Sequence, residues 1–500
     1  MTRKNSFVLF FLLGISFLLS LCYCPPFDAM FDDREVFSYG GMAILKGLVP
    51  YRDFFDHKPP GIFFINAAGQ LLGGGLWGLW VINMVLALLA TGALYRICLQ
   101  NRLHFPWLLP LLFNLMVRDN LVSLGAGMTR EYTTYFFVLF FCIFMGKARF
   151  RENLLGLFTG LIFFTQQEQV LAVLPFLLYA LLTERSRPVY LRIARIGLGF
   201  GLVLLPILFY FAWNHSLAYL WEDGFRFNMV WYTAQPKSLG DHFRTIKRCL
   251  DAGNYEVPFL IALVLGGTAF FLRHKRKGLL LAALAAFFLS LAPEMMGNRF
   301  EGRANPIDSL PYFLPLAGSV CALLFVVFAF SDDAILGSRP IQLPYALLLC
   351  CGLAYTALQH STHLIRRSED TDINSPALNY LRQHRPGNYE LYVFNYDDYI
   401  YAYNEFRILA PSRWIYHHMW DWYDKWDTDH ALLTGITNDL LRHHTTYIIM
   451  DTVRMKQFLN PANAEYWQSF MQTYYEQLPI SDTNKNILWK RKDALTYSNR

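Results

Sequence analysis

The chain has 500 residues, of which 54% are hydrophobic and only 16% charged, with a mean hydropathy of +0.25. Ordinary soluble domains carry about a quarter charged residues, so this balance excludes a cytosolic globule and points to an integral membrane protein. A net charge of +6 names no partner by itself, and no nucleic-acid partner is expected.

A bilayer requires about 20 apolar residues per helical span. Runs of that kind predict spans near 6–24, 78–98, 105–117, 132–146, 154–166, 169–183, 196–213, 257–272, 278–293, 310–330 and 341–358, roughly eleven in all, with 61–73 a surface helix or partial span. The first has the basic start and apolar core of a secretory signal. It lacks a small-x-small cleavage pattern and reads as an uncleaved first helix. Cys22, Cys24, Cys98, Cys142, Cys321, Cys350 and Cys351 lie in or beside apolar spans and Cys249 in a polar loop, so no disulfide framework is expected.

Lys and Arg mark alternate loops: Arg3 and Lys4, Arg96 and Arg102, Lys147 to Arg151, Arg185 to Arg195, Arg273 to Lys277. By the positive-inside rule these face the cytoplasm, which puts the first loop, the C-terminal tail and the loops near 118–130, 214–256 and 294–308 on the outer side. The chain is thus read as multi-pass, of the bacterial inner-membrane kind, with its N-terminus cytoplasmic.

The first outer loop, 25–60, is the most informative stretch. Between hydrophobic spans it carries Asp32, Asp33, Glu35, Asp53, Asp56, His57 and Lys58. Asp32 and Asp33 close the first helix, where partial desolvation and a neighbouring like charge raise one pKa towards that of a useful base; the plain alternative is an acidic turn capping a helix over Glu35–Leu45. Lys58 precedes Pro59-Pro60, which hold it extended ahead of a helix. A lysine so fixed neutralises phosphate oxygens as a point charge, unless it merely snorkels at the interface. His57 reads equally as a proton relay, a phosphate ligand or a structural residue.

After residue 358 the apolar runs stop, and 359–500 reads as a soluble extracytoplasmic α/β domain beyond the transmembrane part, 1–358. Strand-like runs at 390–394 and 447–450 alternate with helix-like segments at 375–384, 431–443 and 462–477. The aromatic-rich stretch from Tyr401 to Trp426 lines a saccharide or acceptor groove, packs in the ordinary way or makes membrane-facing contact.

An outer site has no cytoplasmic nucleotide sugar or ATP, and neither a GxxxxGK[ST] loop nor a strand-associated GxGxxG occurs. An activated donor then arrives through the membrane as a sugar on a polyprenyl phosphate. Transfer needs a carboxylate to take the acceptor proton and a cation to steady the departing phosphate.

The loop resembles that of the GT-C glycosyltransferases of the dolichyl-phosphate-mannose protein mannosyltransferase and aminoarabinose-transferase superfamily. Asp32-Asp33 matches the acidic pair after the family's first helix, Gly47-Leu48-Val49-Pro50 its Gly-x-x-Pro, and Lys58-Pro59-Pro60 its Lys-Pro-Pro element. Thr129-Arg130-Glu131 looks like the family's Thr/Arg-Glu element. Residues 305–315 stand where the family has a His-Tyr stretch, but the His is absent here. The resemblance implies an α-helical polytopic GT-C fold and an inverting transfer with catalytic Asp32 or Asp33, donor phosphate on Lys58, Arg130 and Arg303, and a cavity lined by Tyr51, Arg52, Asp53, His57 and Glu131. No tightly bound cofactor or metal is expected, although the carboxylates admit a divalent ion. The partners so implied are a polyprenyl-phosphate sugar, a glycan, lipid or protein acceptor, and membrane lipid. The rivals are a transporter or flippase of lipid-linked glycans, which would hold its ionisable groups near the midplane, and a glycan polymerase or ligase.

Overall fold

Apolar runs become helices here because a chain in lipid must satisfy every backbone N–H and C=O within its own segment. The structure, a computed structural model, describes residues 3–21, 24–25, 33–73, 75–117, 127–184, 187–232, 240, 264, 275–296, 314–330, 375–394, 399–416, 430–451, 459–481 and 486–493. Among these, helices α1 (Arg3–Leu21), α4 (Leu76–Gln100) and α9 (Val189–Trp213) are long and apolar enough to cross a membrane. Shorter helices are α2 (Asp33–Leu45), α3 (Gly61–Leu71), α5 (Leu108–Val117), α6 (Thr129–Met145), α7 (Arg151–Thr165) and α8 (Val170–Thr183). Later in the chain come the helices Lys277–Met296 and Leu316–Phe330. The expected partial span at 61–73 is α3. The expected spans at 257–272 and 341–358 fall outside the described residues, apart from Val264.

Small residues let these helices approach closely, the usual device where lipid supplies no hydrophobic drive between helices. A Cβ on Gly156 would lie 1.9 Å from the carbonyl oxygen of Ile196, and one on Gly199 would lie 1.9 Å from that of Asn153, so α7 and α9 meet backbone to backbone. Likewise a Cβ on Gly78 would sit 1.8 Å from the oxygen of Gly69, joining α4 to α3.

Arginines of the basic loops close helix ends, whose last carbonyls have no partner within the helix. Arg151 donates from Nε to the carbonyl of Phe144 at 3.0 Å and pairs with Glu184. Arg192, 3% exposed, donates to the carbonyls of Ala180 and Leu181 at 2.7 and 2.8 Å.

Residues 375–493 contain a four-stranded sheet in the order β1 (Leu391–Phe394), β2 (Tyr447–Asp451), β4 (Asn486–Arg491), β3 (Tyr475–Ser481). β1 and β2 are parallel, with Leu391 opposite Tyr447, and the other pairings are antiparallel. The crossover between the parallel strands contains the helices Tyr401–Phe406 and Ala431–Arg442, while Pro461–Tyr474 leads into β3. The helix expected over 462–477 ends at Tyr474, because the following residues pair with β4: Gln477 lies opposite Trp489. Pro479 is accommodated on this edge strand, where the register shifts between Gln477 and Ser481.

Successive strand residues face opposite sides, and in β1 that alternation divides two cores. Leu391 and Val393 join Leu378, Tyr403 and Ile449 in a cluster continuous with α2 and the loop before α3. Tyr392 and Phe394 face a second cluster with Leu433, Ile436 and Trp467, where the Phe394 and Trp467 rings stack at 4.1 Å.

Candidate active site

The site is built on the connection between α2 and α3. α2 ends at Leu45, and Gly47 then takes a left-handed φ of 89°, which glycine adopts without steric cost. Its N–H meets the carbonyl of Ile44 at 3.0 Å, and the N–H of Leu48 meets that of Ala43 at 2.9 Å, closing the helix. A tight turn follows. The carboxylate of Asp53 accepts from the N–H of Val49 at 2.7 Å, and the N–H of Tyr51 donates to the carbonyl of Phe54 at 2.8 Å. Arg52 holds Asp53 with both arms of its guanidinium, at 2.8 and 2.7 Å, and reaches the carbonyl of Asn214 past the end of α9 at 3.0 Å. Arg52 and Asp53 therefore anchor the loop to α9.

The next turn fixes Lys58 from both sides. Asp56, 1% exposed, accepts through Oδ1 from the N–H of His57 at 2.6 Å and of Lys58 at 2.9 Å. The hydroxyl of Tyr51 donates to the Lys58 carbonyl at 2.6 Å. Tyr51 itself is fully buried with φ 68°. Pro59 restricts Lys58 further, and its ammonium lies 3.8 Å from the Asp33 carboxylate at the start of α2. Burial pushes the Asp56 carboxyl up to about 7, against the opposing pull of Lys58 and the two N–H groups and with a small upward push from Asp33.

Across this turn lies an irregular segment: the short helix Leu217–Trp221, then π-helical turns at Glu222–Arg226 and Asn228–Tyr232. Asn228 meets His57 at two points, Nδ1 at 2.7 Å and the carbonyl at 2.5 Å. Gly224 packs on Tyr51, whose hydroxyl a Cβ there would meet at 3.2 Å.

The described part of the aromatic stretch packs onto the same loop. The N–H of Phe55 donates to the carbonyl of Arg413 at 2.7 Å, and the Arg413 guanidinium pairs with Asp223 and lies 4.9 Å from the centre of the Trp414 ring. Burial pushes Asp223 up to about 6 despite Arg413. Phe55 and Trp414 rings are 4.7 Å apart, the Tyr39 hydroxyl accepts from the N–H of Ala410 at 3.0 Å, and Asn404 donates to the carbonyl of Glu35 at 2.9 Å. Residues 401–416 of that stretch pack on the loop in this way; 417–426 lie outside the described residues.

The structure thus joins Asp33, Tyr51, Asp56, His57 and Lys58 through direct contacts, and turns Arg52 and Asp53 towards α9. Glu131, in the first turn of α6 and fully buried, accepts from Nδ2 of Asn83 on α4 at 2.6 Å; the hydroxyl of Tyr135 donates to Asn83 Oδ1 at 3.2 Å. Arg130 beside it is 5% exposed. Glu168 lies in the 3-10 turn between α7 and α8, accepting from Gln166 at 3.3 Å. Asp32 and Arg303, together with most of 305–315, lie outside the described residues. Asn228, Asp223 and Arg413 were not marked by the sequence, since no motif surrounds them. Among the described residues no cluster of three or more His, Cys, Asp or Glu is disposed to hold a metal ion.

This fold is shared with solved structures of other proteins. The solved structures it resembles include ArnT from Cupriavidus metallidurans bound to undecaprenyl phosphate, with a TM-score of 0.62 and 12% identity over 98% of each chain. The apo state of the same protein superposes with a TM-score of 0.61 and 11% identity over 99% of each chain. No protein-family model matches the chain, and no curated protein matches it.

Proposed function

We propose that this protein transfers a sugar from a polyprenyl-phosphate donor to an acceptor hydroxyl on the outer face of the membrane, by a single inverting displacement. The observation that carries the reading is the pinned Lys58 turn, with the ammonium 3.8 Å from Asp33, in a chain with the fold of ArnT. The ArnT structure holds undecaprenyl phosphate, a carrier of the class proposed here.

In the proposed step the acceptor O–H gives its proton to an aspartate, its oxygen bonds to the anomeric carbon, and the bond from that carbon to the phosphate oxygen breaks. The electron pair leaves with polyprenyl phosphate, whose charge Lys58 offsets, assisted by Arg130 and Arg303. With Asp33 opposite Lys58, we assign the base to Asp32. Tyr51, Arg52, Asp53, His57 and Glu131 shape the cavity. The same reading takes 1–358, with about eleven spans, as the membrane-embedded catalytic part, 25–60 as its first outer loop, and 359–500 as an extracytoplasmic α/β domain docked on that loop.

The test is transfer in proteoliposomes supplied with a polyprenyl-phosphate sugar and acceptor. Asp32→Asn is expected to insert normally and lose at least about a hundredfold in kcat, the lower end of what a general base contributes. Full turnover in that variant would remove Asp32 from the mechanism. No release of polyprenyl phosphate by the unaltered protein, with any donor, would remove the proposed activity.

A further inference from the structure

The side-chain amide of Asn228 can be oriented in only one way. Its Nδ2 stands 2.5 Å from the carbonyl oxygen of His57 and 3.0 Å from that of Gly224. Carbonyl oxygens only accept, so the NH2 end must face them; the reverse orientation would set Oδ1 against two acceptors. Asn228 Oδ1 then lies 2.7 Å from His57 Nδ1. An amide oxygen also only accepts, so Nδ1 must carry a hydrogen.

We infer that Asn228 is a positioning residue that holds neutral His57 as the Nδ1–H tautomer, leaving Nε2 as the ring's hydrogen-bond acceptor. This bears on the roles open to His57 in its neutral form. A neutral imidazole has one N–H, and here Asn228 takes it, so the ring has none to give to a phosphate oxygen. Whatever polar group meets Nε2 of that neutral ring must donate: in the proposed reaction, a substrate hydroxyl. The assignment of that hydroxyl rests on the transferase reading; the tautomer does not.

The surroundings suit a ring held in one state. His57 is 3% exposed, and the ring of Phe227, one residue before Asn228, is 5.8 Å from it. Among the described residues, the charged groups of this turn are Asp56 and Lys58, with Asp33 paired to Lys58, and the segment that carries Asn228 holds Asp223 paired to Arg413. Asn228 begins a π-helical turn, a rare geometry found often at functional sites.

The experiment is nitrogen NMR of the full chain, labelled at histidine and reconstituted in lipid at pH 8, with the His57 signals identified by their loss in His57→Gln. The expected result is a protonated Nδ1 and a bare Nε2. A protonated Nε2, with or without Nδ1, overturns the inference. In Asn228→Leu the Nε2–H tautomer is expected to rise, and an unchanged Nδ1–H state would remove Asn228 from the argument. In Asn228→Asp the carboxylate is expected to raise the His57 pKa, shifting the pH profile of kcat by about one unit; an unshifted His57 titration counts against it. The spectra of the unaltered protein decide the tautomer even where a variant fails to fold. They also do so whether or not the chain proves to be a sugar transferase.

Discussion

The Lys58 ammonium faces the Asp33 carboxylate at 3.8 Å, from side chains that are 15% and 32% exposed. At that distance the two charges attract, and neither is so buried that the pair is sealed from a third group. An incoming phosphate would compete with Asp33 for the lysine. Lys58→Ala is therefore expected to raise the KM for the lipid-linked donor at least about tenfold, with a smaller effect on the acceptor KM. Asp33→Asn is expected to move the donor KM more than Asp32→Asn does, and kcat less. Steady-state kinetics with each substrate varied in turn check both.

Tyr51 tests whether the lysine turn is pinned as the hydrogen bonds imply. Tyr51→Phe keeps the ring among Phe63 and Phe211 and removes only the hydroxyl that holds the Lys58 carbonyl. The expected cost is about 1 to 2 kcal/mol, the price of leaving a half-buried acceptor unmet, with a rise in donor KM. Thermal unfolding in detergent and donor titration measure the two effects separately.

Asp56 makes stability depend on pH in a stated direction. Its pKa is about 7 in the folded chain against an ordinary value of 3.8. Between about pH 4 and 7 the folded state binds the proton and the unfolded state has released it, so stability falls as pH rises through this window and levels above it. Asp56→Asn removes that contribution. The variant's unfolding midpoint relative to the unaltered protein should rise from pH 5 to pH 8; a constant difference would show that Asp56 is not shifted.

Arg413 and Asp223 join the C-terminal region to the segment that contacts the Lys58 turn. Either Arg413→Ala or Asp223→Ala alone leaves a mostly buried charge without its partner and should cost about 2 kcal/mol, discounted for the 25% and 16% exposure of the two side chains. The double variant should cost less than the sum of the two. Thermal unfolding of the four proteins completes the cycle, and strict additivity would show that the pair is uncoupled.

Gly156 is the position where α7 touches α9, and there is no room for a Cβ beside the Ile196 carbonyl. Gly156→Leu should separate the helices and cost more than about 3 kcal/mol, beyond the usual range of core overpacking. It is read as loss of monodisperse protein on size exclusion. Gly197→Ala, two residues before Gly199 on α9, where nothing lies within 4 Å of the added carbon, should be tolerated.

The outcome follows the range over which each interaction acts. Helices α1, α4, α6, α7, α8 and α9 were legible because unbroken apolar runs ended by charge are local patterns. β1, β2 and the helices Pro376–His384 and Ala431–Arg442 were legible from their local patterns, whereas the start of β3, Tyr475 to Gln477, was read as the end of a helix, since its identity depends on pairing with β4. Gly156 and Gly160 show a small-residue spacing that could have been read from the sequence; their partners on α9 could not.

The sequence by itself determined the membrane class, the apolar helices, and the polar loop in which Asp33, Asp56, His57 and Lys58 occur together, because composition, hydrophobic runs and proline restrictions are properties of neighbouring residues. Only the tertiary structure decided what surrounds that loop. Asn228 meets His57 across 171 residues, Arg413 meets Asp223 across 190, and the Tyr39 hydroxyl meets Ala410 across 371. Such pairings depend on helices packing backbone to backbone and on a sheet whose strand order is not sequential, and no local pattern of residues encodes either.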